Sequence, residues 1–186
     1  MKPYIKSSAI AIALMMFACD SGPTDYIGEG WAFFSAGELD QAYATFLTPA
    51  AQNDPEAFVG LGWVCVELDS MPSADRYFAL AAADSLSNGY AGWALTLWAR
   101  SDYTGCLDKA AFVLRHESSY RFEFKTTIDY KDLIWYQAES YLHLGNNSAC
   151  LSKIQALDPS FTANLGAANI ADVLATKLEN LAGTLF

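Results

Sequence analysis

Residues 30–55 read GWAFFSAGELDQAYATFLTPAAQNDP, and this stretch decides how the chain folds. Two small residues, Gly30 and Ala42, stand twelve positions apart with Gly37 between them. Phe46 follows Ala42 by four positions, on the same face of a helix. The pattern predicts two antiparallel helices whose backbones approach closely at the small residues. Gly37 would supply the left-handed conformation that ends the first helix.

The same pattern recurs three more times along the chain. Each copy has an aromatic or apolar residue, a small residue, an apolar residue and a second small residue at fixed spacing. The first small residues are separated by 32, 32 and 44 positions, so the third interval predicts an insertion of about ten residues. The four copies are Tyr26, Gly30, Phe33 and Ala42; Phe58, Gly62, Cys65 and Ala74; Tyr90, Ala94, Leu97 and Cys106; and Ile134, Ala138, Tyr141 and Cys150.

Two of these copies resemble tetratricopeptide repeats: residues 30–55, and residues 138–159, which read AESYLHLGNNSACLSKIQALDP. The resemblance implies an all-α fold, a short solenoid of four helix-turn-helix repeats over residues 24–159. Copy three is the least typical, because Ala94 replaces the usual glycine and Ala110 replaces a large residue. The solenoid is expected to bind protein, as the family does.

Two segments fall outside the repeat pattern. The insertion at about residues 115–131 has aromatic residues at alternate positions, which predicts a short strand or an extended loop. Residues 160–186 are apolar at helical spacing and are expected to form a capping helix, which terminal solenoid repeats require. The alternating aromatic residues are Tyr120, Phe122 and Phe124.

The N-terminus has the pattern of an export signal. Lys2 and Lys6 precede the uncharged run SSAIAIALMMFA, which is shorter than the roughly 20 apolar residues of a membrane-spanning helix. We therefore interpret residues 1–18 as a signal peptide, with a buried N-terminal helix as the alternative.

The end of this run, Met16-Phe17-Ala18-Cys19, resembles the lipobox of bacterial lipoproteins. The resemblance implies cleavage before Cys19 and lipid attachment to its thiol, with residues 19–23 as a polar tether. The protein is then expected to be exported and held by acyl chains on the bacterial cell envelope, with its body facing the periplasm. Asp20 resembles the inner-membrane retention signal of enteric bacteria, and the choice between inner and outer membrane stays open.

Composition excludes several classes of protein. The chain has 186 residues, of which 53% are hydrophobic and 14% aromatic, which excludes intrinsic disorder. The formal charge is −10, and cleavage before Cys19 would make it −12. Such acidity argues against nucleic acid as a partner.

Three cysteines would remain after lipidation of the fourth: Cys65, Cys106 and Cys150. Each falls at a small or inward position of a repeat, so we expect them to pack in the core. Whether two of them form a disulfide stays open, and an odd number allows at most one.

The sequence offers no motif for chemistry. It has no glycine-rich phosphate loop with a lysine and no nucleophile elbow. Its two histidines, His116 and His143, lack partners at metal-ligand spacing. We expect no enzyme activity, no cofactor and no metal site.

The candidate binding site is an aromatic row. In tetratricopeptide solenoids the first helix of each pair lines a concave groove, and five aromatic residues fall at groove-facing positions. They predict a groove for a partner peptide, and the function of a membrane-anchored scaffold or adaptor. A carrier of a small apolar or lipid ligand is the alternative function. A groove filled by the C-terminal helix or by the insertion is the alternative structure. The five residues are Trp31, Phe34, Trp63, Trp98 and Trp135.

Overall fold

The computed structural model describes residues 25–49, 51–125 and 127–185. The predicted signal peptide, residues 1–18, and the tether with Cys19 lie outside the described residues. Within the described part the α-helices are α1 (Tyr26–Ser35), α2 (Leu39–Phe46), α3 (Pro55–Glu67), α4 (Met71–Ala81), α5 (Ser87–Ala99), α6 (Tyr103–His116), α7 (Tyr130–His143), α8 (Asn147–Leu157) and α9 (Ile170–Leu185), with 3-10 turns at Ala51–Asn53 and Ala82–Asp84.

The helices pack as consecutive pairs. The pairs are α1 with α2, α3 with α4, α5 with α6 and α7 with α8. The first helices of neighbouring pairs also touch, since α1 contacts α3, α3 contacts α5 and α5 contacts α7. This stacking is that of a solenoid and confirms the predicted all-α architecture. No helix within the described ranges is both long and apolar enough to cross a membrane.

Side-chain caps start several of these helices. Asp54 accepts a hydrogen bond from the Glu56 backbone N–H at 2.9 Å, and Pro55 occupies the first turn of α3, where its missing N–H costs nothing. An Asp-Pro dipeptide also suits the position after a helix, because the residue before a proline disfavours helical backbone. In the structure this dipeptide starts α3, because α2 has already ended at Phe46.

Every helix pair turns at a residue with left-handed backbone. Gly37 and Gly145 have φ of 76° and 74°, and for Gly37 this confirms the role predicted above. The equivalent positions in the second and third pairs are Asp69 and Ser101, with φ of 55° and 64°. The turn geometry is therefore common to all four pairs, although only two of them use glycine.

Glycines make room for a phenylalanine between the first two repeats. The ring of Phe46 on α2 lies against both α1 and α3. A Cβ atom added to Gly30 would lie 2.5 Å from Phe46 Cε1, and one added to Gly60 would lie 2.4 Å from Phe46 Cε2. Only glycine fits at these two positions, because a buried ring cannot retreat easily.

The second and third repeats share this arrangement. Phe78 is fully buried, and a Cβ added to Gly62 would lie 2.4 Å from its Cε1. A Cβ added to Gly92 would lie 2.2 Å from Phe78 Cζ. One phenylalanine thus fills the space between its own repeat and the next.

The third repeat reverses the sizes. The position equivalent to Phe46 and Phe78 holds Ala110, and the position equivalent to Gly60 and Gly92 holds Tyr136. Both residues are buried, at 0% and 5% exposure. On α6 an alanine stands where the earlier repeats have a phenylalanine, and on α7 a tyrosine stands where they have a glycine. The two changes in side-chain size compensate each other, which explains why the third copy departs from the pattern.

The cysteines lie in the core as predicted. Cys65, Cys106 and Cys150 are buried and free, so no pair of these three forms a disulfide. Burial raises the pKa of the Cys106 thiol to about 11 and that of Cys150 to about 12. These thiols are therefore packing residues that resist ionisation.

The last helix closes the array. Helix α9 packs against α7 and α8 and buries Ile170, Leu174 and Leu178. Lys177 on its outer side donates to the Asp158 carboxylate at 2.6 Å, which ties the helix to the end of α8. The helix lies over the end of the array, but it begins at Ile170 rather than at residue 160. Residues 160–169 form turns and irregular backbone instead, where Asn164 accepts a hydrogen bond from the Gly166 N–H.

Candidate functional site

The insertion crosses the face formed by the first helices of the pairs. It runs from the end of α6 to the start of α7, and its two arms are joined by backbone hydrogen bonds. Phe122 N donates to Ile128 O at 2.9 Å, and Tyr130 N donates to Tyr120 O at 2.8 Å. This confirms an extended loop, in which Arg121 and Asp129 form an isolated antiparallel bridge.

A buried carboxylate holds the base of the insertion. Asp132 accepts a hydrogen bond from the Asp129 backbone N–H at 2.6 Å, while Asp129 caps the first turn of α7. Asp132 is 2% exposed, and burial raises its pKa to about 6. The insertion is therefore fixed where α7 begins.

Aromatic rings seal the insertion onto the solenoid. The Phe122 ring stacks on Trp63 with centroids 4.4 Å apart, and the Phe124 ring stacks on Trp31 at 4.0 Å. Phe122 is fully buried and Phe124 is partly buried. The Phe122 centroid also lies 6.4 Å from that of Phe34. The first half of the aromatic row is thus covered by the chain itself.

The second half of the row is covered by helices. Trp98 and Trp135 pack edge to face at 5.3 Å, and Trp98 also meets Tyr136 at 5.2 Å. The indole N–H of Trp135 donates to Leu178 O on α9 at 3.1 Å. Trp135 is 7% exposed and Trp98 is half-buried.

The five aromatic residues therefore do not line an open groove in the structure. Trp31, Phe34, Trp63, Trp98 and Trp135 do follow the first helices of the pairs, but the insertion and α9 lie over them. The physical reason is that so much exposed aromatic area is costly in water, and the chain can cover it with its own residues. The structure follows the self-filled alternative, and partner binding by these residues stays a prediction.

A cleft remains open beside the tip of the insertion. It has a volume of about 640 Å³ and lies between the length of α1, the start of α3, the start of α5 and the insertion. Its walls combine aromatic rings with carboxyl groups. The lining residues are Asp25, Ile27, Gly28, Trp31, Ala32, Ser35, Glu56, Asn88, Glu123 and Phe124.

The carboxylates of the cleft repel one another. Burial raises the pKa of Glu56, and the nearby Asp54 and Glu123 carboxylates raise it further. The polar side-chain atoms of Asn88 and Trp31 lie near enough to oppose this shift in part. Negative charge is therefore concentrated here with incomplete compensation.

A second cleft continues the first. It has a volume of about 370 Å³ and shares Glu56, Asn88 and Glu123 with the larger one. Glu117 and Arg121 line its far side, where Arg121 pairs with Asp129 at 3.7 Å. We call the two together the acidic trough, which runs along both sides of Glu56 and Glu123.

Several cations on the described residues pair with carboxylates outside the trough. Lys125 pairs with Glu67, Arg100 with Asp75, and Lys177 with Asp158. No described lysine or arginine forms an ion pair with Asp25, Glu56 or Glu123, in the stretches 25–49, 51–125 and 127–185. The trough is consequently a net negative surface of the folded protein.

Comparison with known proteins supports the fold. Solved structures of MamA MSR-1 and MamA AMB-1 superpose on 84% of this chain, with TM-scores of 0.59 and 0.60 and 14% identity. The matches cover 85% and 87% of those chains. A tetratricopeptide repeat protein from Parabacteroides merdae matches 86% of this chain and 59% of its own, with a TM-score of 0.55 and 13% identity.

No protein-family model matches the sequence, and a search of curated proteins finds no relative. The likeness to solved structures, at 13–14% identity, concerns the fold alone. This protein has a tetratricopeptide-like solenoid fold, as its sequence predicts.

Proposed function

We propose that this protein is a lipid-anchored, protein-binding scaffold of the bacterial cell envelope. The observation that carries the proposal is the acidic trough, which stays open on the face where tetratricopeptide solenoids bind their partners. Stacked helix pairs give a rigid, curved platform, and such platforms recognise extended segments of other proteins. No catalytic function enters the proposal.

The partner is proposed to meet the insertion and the trough rather than the tryptophans directly. Trp31 and Trp63 are 3% and 0% exposed, so little of either ring is available to a partner. Phe124 and Glu123 at the tip of the insertion are more accessible. The aromatic row then supports the insertion from below, and the exposed residues of the insertion form the contact surface.

Membrane anchoring through Cys19 is the second part of the proposal. It is supported by the signal-like residues 1–18 and by the lipobox-like end of that segment. Asp25, which lines the trough, follows Cys19 closely in sequence, and an extended chain of that length reaches about 20 Å. The trough would then lie close to the membrane surface, within reach of membrane-bound partners.

The alternative from sequence, a carrier of an apolar or lipid ligand, has less support. The aromatic side chains that would line an apolar cavity pack against Phe122, Phe124 and Leu178 instead. The 640 Å³ cleft is open to solvent and bears carboxylates, which an acyl chain does not favour.

Site-directed photo-crosslinking in the native envelope tests the scaffold. A benzoylphenylalanine at Ser35, which is exposed and lines the trough, should trap one discrete partner. The same probe at Leu80, which is exposed on α4, is the matched control and should trap none. The same product from both positions, or none from either, would refute the proposed binding face.

Lipidation is tested separately. Cys19→Ser should prevent lipid attachment and leave the signal peptide uncleaved, so the protein should migrate as the larger, unlipidated precursor. A Cys19→Ser variant that is processed normally and remains membrane-bound would exclude the anchor without affecting the scaffold proposal.

A further inference from the structure

We propose that the tip of the insertion occupies a binding site of the solenoid in place of the partner. By the tip we mean Glu123, Phe124 and Lys125. The partner meets the closed tip first, and in the bound state it replaces the tip with an aromatic residue followed by a lysine or arginine. This inference rests on the proposed scaffold function and names the chemistry of the partner segment.

The insertion lies on the solenoid in the way that a bound peptide would. The Tyr120 hydroxyl donates a hydrogen bond to a side chain at the start of α5, at 3.1 Å. Phe122 stacks on Trp63 of α3, and Phe124 stacks on Trp31 of α1. Alternate side chains therefore contact three successive repeats, as the alternate residues of a peptide contact successive pockets of a groove.

The contacts of the tip define two adjacent subsites. The Phe124 ring is parallel to the Trp31 ring, with centroids 4.0 Å apart and an interplanar angle of 0°. The Lys125 ammonium group pairs with the Glu67 carboxylate at the end of α3. An aromatic side chain followed by a cation satisfies both subsites, so the tip itself shows which partner sequence fits here.

The tip is held less firmly than the part of the insertion that precedes it. Tyr120 and Phe122 are 2% and 0% exposed, whereas Phe124 is only partly buried. The side chains of Lys125 and Glu67 are 38% and 28% exposed, and ion pairs so accessible to water contribute little to stability. The tip can therefore leave the solenoid while the preceding residues stay in the core.

Charge repulsion also opposes the closed position of the tip. The Glu123 carboxylate lies near the half-buried Glu56 and raises its pKa. Both residues line the trough, so closure of the tip brings two negative groups to one wall. A partner segment that has no acidic residue at the position of Glu123 avoids this repulsion, which favours the partner over the tip.

The test uses the purified full chain in detergent and three acetylated and amidated peptides. The first is Gly-Ser-Phe-Lys-Gly-Ser, which carries the aromatic residue and the cation. The second has alanine in place of phenylalanine, and the third has glutamine in place of lysine. Isothermal titration calorimetry measures the affinity of each peptide for the wild type and for the variants.

Removal of both tip side chains should expose the site. The open variant, Phe124→Ala with Lys125→Ala, should bind the first peptide at least about fivefold more tightly than the wild type does, because the apparent affinity scales with the fraction of molecules whose site is free. Phe124→Tyr with Lys125→Arg keeps the ring and the charge, and should bind like the wild type. Val173→Ala removes an exposed apolar side chain of α9 and should also change nothing.

The peptide variants should separate the two subsites. In the open variant the alanine peptide should lose most of the gain in affinity, since it cannot stack on Trp31. The glutamine peptide should bind about two- to threefold less tightly than the first peptide. Adding Glu67→Gln to the open variant should abolish that difference, because the subsite then has no charge.

Displacement of the tip can be observed in the otherwise unaltered protein. With para-fluorophenylalanine at position 124, the first peptide should move the fluorine NMR signal towards its value in denaturant, since the ring leaves Trp31. This measurement does not depend on how well the open variant folds. A peptide that binds without moving the signal would overturn the proposal.

Each contrary affinity also has a definite meaning. Equal affinity of the wild type and the open variant for the first peptide would overturn occlusion by the tip, and no binding to either would overturn the site. Equal binding of the alanine peptide would overturn recognition of an aromatic residue. A partner trapped at Ser35 with the same yield in the wild type and the open variant would leave the scaffold in place and remove this inference alone.

Discussion

Phe122 stacks on Trp63 with ring centroids 4.4 Å apart and ring planes 19° apart. The contact joins the insertion to α3, and both side chains are fully buried. It is the central contact by which the insertion becomes part of the core, and the partly buried Phe124 extends it towards the surface.

Truncation of Phe122 should lower the stability of the protein more than truncation of Phe124. Phe122→Ala should lower the free energy of unfolding by about 3–5 kcal/mol, because it leaves a cavity over Trp63. Phe124→Ala should cost about 1–2 kcal/mol, since that ring is only partly buried. Urea denaturation followed by far-UV circular dichroism measures both. Equal losses of stability in the two variants would contradict the difference in burial between Phe122 and Phe124.

Glycine on α3 should be intolerant of a methyl group. Gly60→Ala places a Cβ 2.4 Å from the Phe46 ring and should destabilise the protein by about 1–3 kcal/mol. Gly183→Ala on α9 is the control, because nothing lies within 4 Å of its Cβ. That substitution should stabilise the protein by up to about 1 kcal/mol through helix propensity. Similar effects of the two substitutions would contradict the tight packing of Phe46.

The reversed sizes in the third repeat predict a coupled pair. Ala110→Phe should destabilise the protein, because the place of its ring is taken by Tyr136. Adding Tyr136→Gly recreates the arrangement of the first two repeats. The double variant should be more stable than the sum of the two single effects by more than about 1 kcal/mol, in a denaturation-based double-mutant cycle. Simple additivity would show that the two residues do not share that space.

Asp132 predicts a pH dependence of stability. Burial raises its pKa from 3.8 to about 6, so the native state binds this proton more tightly than the unfolded state. The stabilisation is fully present below about pH 4 and is lost as the pH rises through about 6, with a size of at most about 3 kcal/mol. Asp132→Asn cannot ionise and keeps an oxygen for the Asp129 N–H. Denaturation between about pH 4 and 7 should show the wild type losing stability relative to this variant, and parallel profiles would contradict the assignment.

Thiol titration should count the free cysteines and check the anchor. Cys65, Cys106 and Cys150 are buried, with raised pKa values, and should not react with Ellman's reagent in the native protein. In denaturant, three thiols should react if Cys19 carries lipid. A fourth reactive thiol in protein isolated from the membrane would contradict lipidation.

The repeat was predictable because small residues at fixed spacing report on helix packing directly. The left-handed turns were predictable only where glycine occupies them, at Gly37 and Gly145. Asp69 and Ser101 adopt the same conformation, but neither residue type signals it strongly, and the repeat register alone points to them. The role of Asp54-Pro55 was harder to assign, since the same dipeptide suits the end of one helix and the start of another.

The candidate site was less predictable. Sequence alone placed the aromatic row on one face and left open what covers it, because a loop's length does not determine where it lands. The acidic trough had no sequence signal, since Glu56 and Glu123 meet only after the insertion has folded back. The only signal in the sequence was the alternation of Tyr120, Phe122 and Phe124, which indicates that one side of the insertion is apolar and packs against another apolar surface.

The insertion also changes how this protein should lose its structure. In an ordinary solenoid each repeat contacts only its neighbours. The terminal repeats can therefore unfold first, and the array can be extended gradually by force. Here the stack of Phe124 on Trp31 joins the insertion to the first repeat and closes a loop of 94 residues, from position 31 to position 124. The repeats cannot unfold one at a time unless the contact between Phe124 and Trp31 is broken first. Mechanical pulling should therefore show one concerted rupture where an unfastened solenoid would show a graded extension.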